Sequence, residues 1–140
     1  AVIDQADMSS VVKTSNVSVT GNYRSSEGVT GDEVWSTRAK WMNLSGTIGD
    51  EQVSLVICDH PKNINYPTYW HARGYGLFSA NPLGVKDFTG GKEELNHTIA
   101  PGESLTFRYR IILASQHLPD DAINNYANEF ATKYQIKPTR

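Results

Sequence analysis

Hydrophobic and polar residues alternate most cleanly near the end of the chain. Leu105, Phe107, Tyr109, Ile111 and Leu113 fall on one side of an extended backbone, and Ser104, Thr106, Arg108 and Arg110 on the other. Side chains in a strand point alternately to opposite faces, so this pattern predicts a strand with one dry face and one polar face. The apolar run Val53-Ser54-Leu55-Val56-Ile57, ending at Cys58, predicts another. Before it, aromatic and β-branched residues from Val34 to Ile48 alternate with polar ones around Arg38-Ala39-Lys40-Trp41. The short connection Gly49-Asp50 makes these two segments a hairpin. Asp59 to Pro67 reads as a loop, because Pro61, Asn63, Asn65 and Pro67 disfavour a ladder. Strand character resumes at Thr68 and runs to Phe78, then stops at Asn81-Pro82-Leu83-Gly84. Weaker strands are expected around Val11 to Val19 and from Leu95 to Ile99, with a Gly-, Ser- and Asn-rich loop from Gly21 to Gly31.

The period then changes. Pro119, Asp120 and Asp121 suit a first helical turn, and Ile123, Tyr126, Ala127, Phe130, Ala131 and Tyr134 recur at helical spacing. A helix is expected over 119–135, packed on the sheet, with Pro138 closing it. Several strands, one terminal helix and no strand–helix alternation predict an all-β fold, an antiparallel β-sandwich with a C-terminal α-helix.

Composition narrows the class. The 140 residues suit one domain, taken as 1–140, and 39% hydrophobic with 20% charged residues can build a core. The net charge is -2 with no basic block, so no nucleic-acid partner is expected. No apolar run approaches the ~20 residues needed to cross a bilayer, and Ala1 to Ser10 shows no signal-peptide pattern. Cys58 alone cannot form an internal disulfide, and its apolar surroundings predict a buried, inert thiol. Asn16, Asn43 and Asn96 each open an acceptor pattern for N-glycosylation.

The richest chemistry sits mid-chain. On one strand Tyr69, His71, Arg73 and Tyr75 would share a side, with Asp59 and His60 in the preceding loop. Aromatic faces stack on the apolar side of a pyranose, and Arg, His and Asp hydrogen-bond its hydroxyls, so this surface suits a saccharide. The bland alternative is a structural network in which Asp59 fixes Arg73 or His71 under the loop. Acid–base chemistry would use His71 with Asp59, or with Glu93 or Glu94. A metal site from Asp59, His60 and His71 fits no ligand spacing, and no cofactor is expected. Arg38, with Lys40 on its strand face, could reach an acidic sugar or merely protect an edge. His97 and His117 carry no role, and Gly90-Gly91 is a turn.

Trp35-Ser36-Thr37-Arg38-Ala39-Lys40-Trp41, Asp59-His60-Pro61, Pro67 to Phe78, Asn81-Pro82-Leu83-Gly84 and Pro101-Gly102-Glu103-Ser104-Leu105 together resemble a bacterial family labelled methane oxygenase PmoA. The resemblance covers roughly Glu27 to Ser115 and falls in the C-terminal half of that family's longer members. It implies a galactose-mutarotase-like β-sandwich, whole or half, associated with carbohydrate degradation. With no segment able to cross a bilayer, the oxygenase activity is not expected. The expected function is saccharide recognition in a periplasmic or extracellular setting. The catalytic pair would be His71 and Asp59, and the binding residues Arg73, His60, Tyr69, Tyr75 and Arg38. The alternatives are an epimerase- or lyase-like enzyme, or a structural domain that forms a homodimer or docks on a partner domain.

Overall fold

The structure is a computed structural model that describes residues 21–133. Its strands are β1 (Asn22–Ser25), β2 (Trp41–Ile48), β3 (Glu51–Asp59), β4 (Tyr69–Arg73), β5 (Leu77–Asn81) and β6 (Tyr109–Ala114). A 3-10 turn spans Gly31–Val34, and two helices, α1 (Val85–Phe88) and α2 (Asp120–Thr132), complete the order. All pairings are antiparallel. One sheet has the order β1-β2-β3-β6 and the other is the two-stranded β4-β5.

The hairpin expected at Gly49-Asp50 joins β2 to β3, with Ile48 opposite Glu51. Gly49 has φ 62°, a left-handed conformation that glycine adopts without a Cβ clash. Period-two geometry then divides the large sheet. Trp41, Val56, Cys58, Ile112 and Ala114 face α2 and pack on Leu118, Ile123 and Phe130. Trp41 Nε1 donates to Asn124 Oδ1 at 2.8 Å, tying the helix to the sheet. Arg110 lies over the Phe130 ring at 5.2 Å and donates to Tyr126 O at 2.9 Å, a cation placed in the later turns of α2. The opposite face carries Tyr23, Met42, Leu44 and Ile57, and packs on Trp70, Ala72, Phe78 and Ala80 of the small sheet. The result is an all-β, sandwich-like fold with one C-terminal helix laid on its outside.

Several expectations are corrected. Asn22–Ser25 is a strand rather than loop, because Tyr23 and Ser25 are buried against β2. Val34 ends the 3-10 turn, so β2 begins only at Trp41. The segment from Thr68 to Phe78 is two strands, since Gly74, Tyr75 and Gly76 turn the chain, with Gly76 at φ 99°. Leu95–Ile99 forms no strand. The helix starts one residue after Pro119. The strand called around Val11 to Val19, like Tyr134 and Pro138, lies outside the described residues.

The clearest alternation in the chain has its faces reversed. Ile111 and Leu113 are 64% and 78% exposed, whereas Arg110, Ile112 and Ala114 lie under α2. Among the described residues, the two-stranded sheet covers the β1 and β2 half of the inner face, and nothing covers the β6 half. Asn43, read as a glycan acceptor, is buried within β2. Cys58 is buried as expected, and burial pushes its thiol up to about 11, so no thiolate nucleophile forms near neutral pH.

Candidate functional site

The outer face of β4 holds the residues that remain available for chemistry. Trp70 and Ala72 point inward, so Tyr69, His71 and Arg73 point outward. The neighbouring segment is stitched to β4 by Trp70 N–H to Thr37 O (2.9 Å) and Ser36 N–H to Trp70 O (3.0 Å), which brings Trp35 alongside. The turn at Asn81 delivers α1 to the same face. Asn81 Oδ1 accepts the N–H groups of Leu83 (3.2 Å) and Gly84 (2.9 Å), and Ser36 Oγ then donates to Phe88 O at 2.5 Å.

An aromatic cluster follows. Phe88 stacks on Tyr69 with centroids 5.3 Å apart, and meets His71 at 5.7 Å and Trp35 at 5.8 Å edge to face. The Arg73 guanidinium lies 4.6 Å from the Trp35 ring centroid. Trp35, His71, Arg73 and Phe88 are each half-buried, leaving ring and polar edges open to solvent. At the end of β4, Asp32 Oδ1 accepts Gly74 N–H at 2.6 Å and puts a carboxylate beside the patch.

The other expected site residues are placed elsewhere. Asp59 is 3% exposed, and its carboxylate accepts from His60 N–H (2.9 Å), Asn63 Nδ2 (2.7 Å) and Thr68 N–H (2.9 Å). Burial raises its pKa above the usual aspartate value, while these hydrogen bonds pull it down. Asn63 continues the network, donating to Arg108 O and accepting from Arg108 N–H, both at 2.7 Å. His60 is 0% exposed: its Nδ1 accepts from Lys62 N–H at 3.1 Å, which leaves Nε2–H to donate to Lys133 O at 3.1 Å. Its ring also meets the edge of Phe130, 4.9 Å away. Arg38 donates to Pro67 O (3.0 Å), Asn65 O (3.0 Å) and Asn65 Oδ1 (2.9 Å), and covers the Tyr69 ring at 5.0 Å. These three hold the 60–68 loop in place. Tyr75 is 60% exposed at the tip of the β4–β5 turn, off the strand face assigned to it.

His71 and Arg73 are therefore brought together with Tyr69, whereas Asp59 and His60 are sealed away from solvent. Among the described residues, no group of three or more His, Cys, Asp or Glu is placed to hold a metal ion. No helix among them is long and apolar enough to cross a membrane. Pattern reading missed Phe88 and Asp32, and gave Trp35 no role at the site. A four-residue helix is too short to show a period, and Asp32 stands in a turn whose approach to Gly74 is purely tertiary. Trp35 did stand among the motif residues.

Over residues 8–128 the chain matches a family of unknown function (DUF6807). It belongs to that family. No curated protein and no solved structure matches it. The DUF6807 match extends on both sides of the Glu27–Ser115 region that carries the resemblance, and takes in most of α2.

Proposed function

We propose that this DUF6807 chain recognises a saccharide on the outer face of β4, with Trp35 and Phe88 as stacking surfaces and His71 and Arg73 as polar contacts. One observation carries the reading. Among the described residues neither the His71 nor the Arg73 side chain has a hydrogen-bond or ion-pair partner, although both lie against aromatic rings on an open face. Asp59 and His60 are, by contrast, engaged inside the protein, and Arg38 is held to the 60–68 loop through Nε and Nη2. A guanidinium with open donors beside a ring favours sugars bearing a carboxylate, which matches its planar fork. The reading assumes a galactose-mutarotase-like sandwich and a periplasmic or extracellular setting in a bacterium. An epimerase- or lyase-like reaction is less supported, because the carboxylate first paired with His71 is sealed in the loop network.

A glycan array tests this. Wild type should bind glycans carrying uronic acids, and His71→Ala and Arg73→Ala should each weaken binding about tenfold or more, the loss of a charge-assisted hydrogen bond. An array with no bound glycan, or binding indifferent to both changes, would overturn the proposal.

The bare half of β6 favours a second reading, self-association. Among the described residues β6 is the outer strand of its sheet, so its unpaired backbone edge and the exposed Ile111 and Leu113 lie together. A two-fold axis beside β6 would pair the two edges and bury the same residues from both copies. Sedimentation equilibrium should show a dimer that Leu113→Lys dissociates. A wild type that stays monomeric at all concentrations rules this arrangement out.

A further inference from the structure

A separate cleft of about 450 Å³ opens where the start of α2 meets β1 and β2. Arg24, Asn43, Ser45, His117, Asp120 and Asp121 line it. We propose that this cleft binds a primary ammonium group, carried by a small amine such as an amino sugar or a short diamine.

The case begins with Asn43. It is 4% exposed, lines the cleft, and its Oδ1 has no hydrogen-bond partner among the described residues. Leaving a buried carbonyl oxygen unpaired is costly, of order 1–3 kcal/mol. Nothing about strand pairing calls for an amide at this position, because the ladder to Arg24 and Val56 uses backbone atoms alone. An unpaired acceptor on a residue that lines a cleft fits an incoming donor.

The rest of the lining is also rich in acceptors. Among the described residues Asp121 has no ion-pair partner. His117 Nε2 lies 3.1 Å from Gly46 O, which can only accept, so Nε2 carries a proton and Nδ1 is the acceptor of the neutral imidazole. Ser45 adds a hydroxyl. An anion is disfavoured although a helix starts here. Pro119 has no N–H, Leu118 N–H is occupied by Ser54 Oγ at 3.0 Å, and Asp120 and Asp121 already fill the first turn with negative charge. With Arg24 set against those two aspartates, the local balance is one negative charge. Four acceptor groups, those of Asn43, Asp121, His117 and Ser45, around a site of net negative charge can satisfy the three donors and single positive charge of an ammonium.

Arg24 supplies the way in. It sits opposite Asn43 across β1 and β2, and its Nη2 bridges to Asp120 Oδ2 at 2.6 Å. Both partners of that bridge are well exposed, and such surface pairs are worth roughly 0–1 kcal/mol. An arriving ammonium can displace the guanidinium, uncover Asn43 Oδ1 and take over the contact with Asp120.

The test is a ¹H–¹⁵N NMR titration with glucosamine and with putrescine, each paired with its neutral counterpart, glucose and 1,4-butanediol. At least one amine should shift resonances grouped at Asn43, Ser45, Leu118 and Asp121, and the neutral counterparts should not. Response to glucosamine alone assigns an amino sugar; response to putrescine alone assigns a diamine. Asp121→Asn should weaken binding about tenfold while leaving circular dichroism unchanged, and Arg24→Gln should strengthen it by freeing Asp120. His71→Ala should leave it intact, which separates this site from the saccharide face. Absence of grouped shifts with both amines, equal response to the neutral compounds, or an unchanged affinity in Asp121→Asn would overturn the proposal.

Discussion

Asp59→Ala should lower the stability of the fold by about 3–5 kcal/mol, read as a fall in the urea midpoint, because it leaves buried donors unpaired. His60 N–H, Asn63 Nδ2 and Thr68 N–H all converge on this carboxylate. Asn63 is in turn bound to both backbone groups of Arg108. Losing Asp59 therefore loosens the 60–68 loop and the entry into β6 together. Asp59→Asn should cost less, about 2 kcal/mol, because it keeps the shape and one acceptor. For a domain whose whole stability is about 5–15 kcal/mol, the alanine variant should be partly unfolded at 37 °C. An alanine variant within about 1 kcal/mol of wild type would show that the carboxylate does not hold the loop, and would return Asp59 to the list of functional candidates.

Trp70→Ala and His71→Ala should give opposite results although the residues are adjacent. Trp70 is fully buried between the sheets and donates from Nε1 to Ala39 O at 3.0 Å. Removing it opens a cavity in the cluster of Tyr23, Met42 and Phe78 and strands that carbonyl, so about 3–5 kcal/mol should be lost. His71 touches mainly Phe88 on the outer face, so its loss should stay within about 1 kcal/mol. Thermal melts of the two variants check this directly. A His71→Ala variant as damaged as Trp70→Ala would mean that the imidazole is a structural part, and the saccharide face would lose its principal residue.

Sequence pattern reached the architecture more readily than the site. The hairpin through Gly49, the loop after Asp59, the Asn81 turn and the terminal helix were legible because each depends on local chemistry. The division of Thr68 to Phe78 into two strands was harder to see. The turn at Gly74 and Gly76 interrupts a run of residues that all favour strand. The reversed faces of β6 could not be read locally at all. Alternation shows that two sides differ, and which side is covered depends on the small sheet ending before it reaches Leu113. In the same way, sequence spacing placed Asp59 and His60 near His71 without distinguishing side chains held by backbone groups from those left open. His71 and Arg73 differ from them because they lie on the strand face turned away from Trp70.

The most direct measurement is a ¹H–¹⁵N NMR titration of the wild-type chain with uronic-acid disaccharides, tracking the Trp35 indole N–H, His71 and the Arg73 side chain. Saturable shifts centred on those three residues, and lost in Arg73→Ala, are the predicted result. Shifts centred anywhere else, or none with any saccharide, would contradict recognition on the outer face of β4.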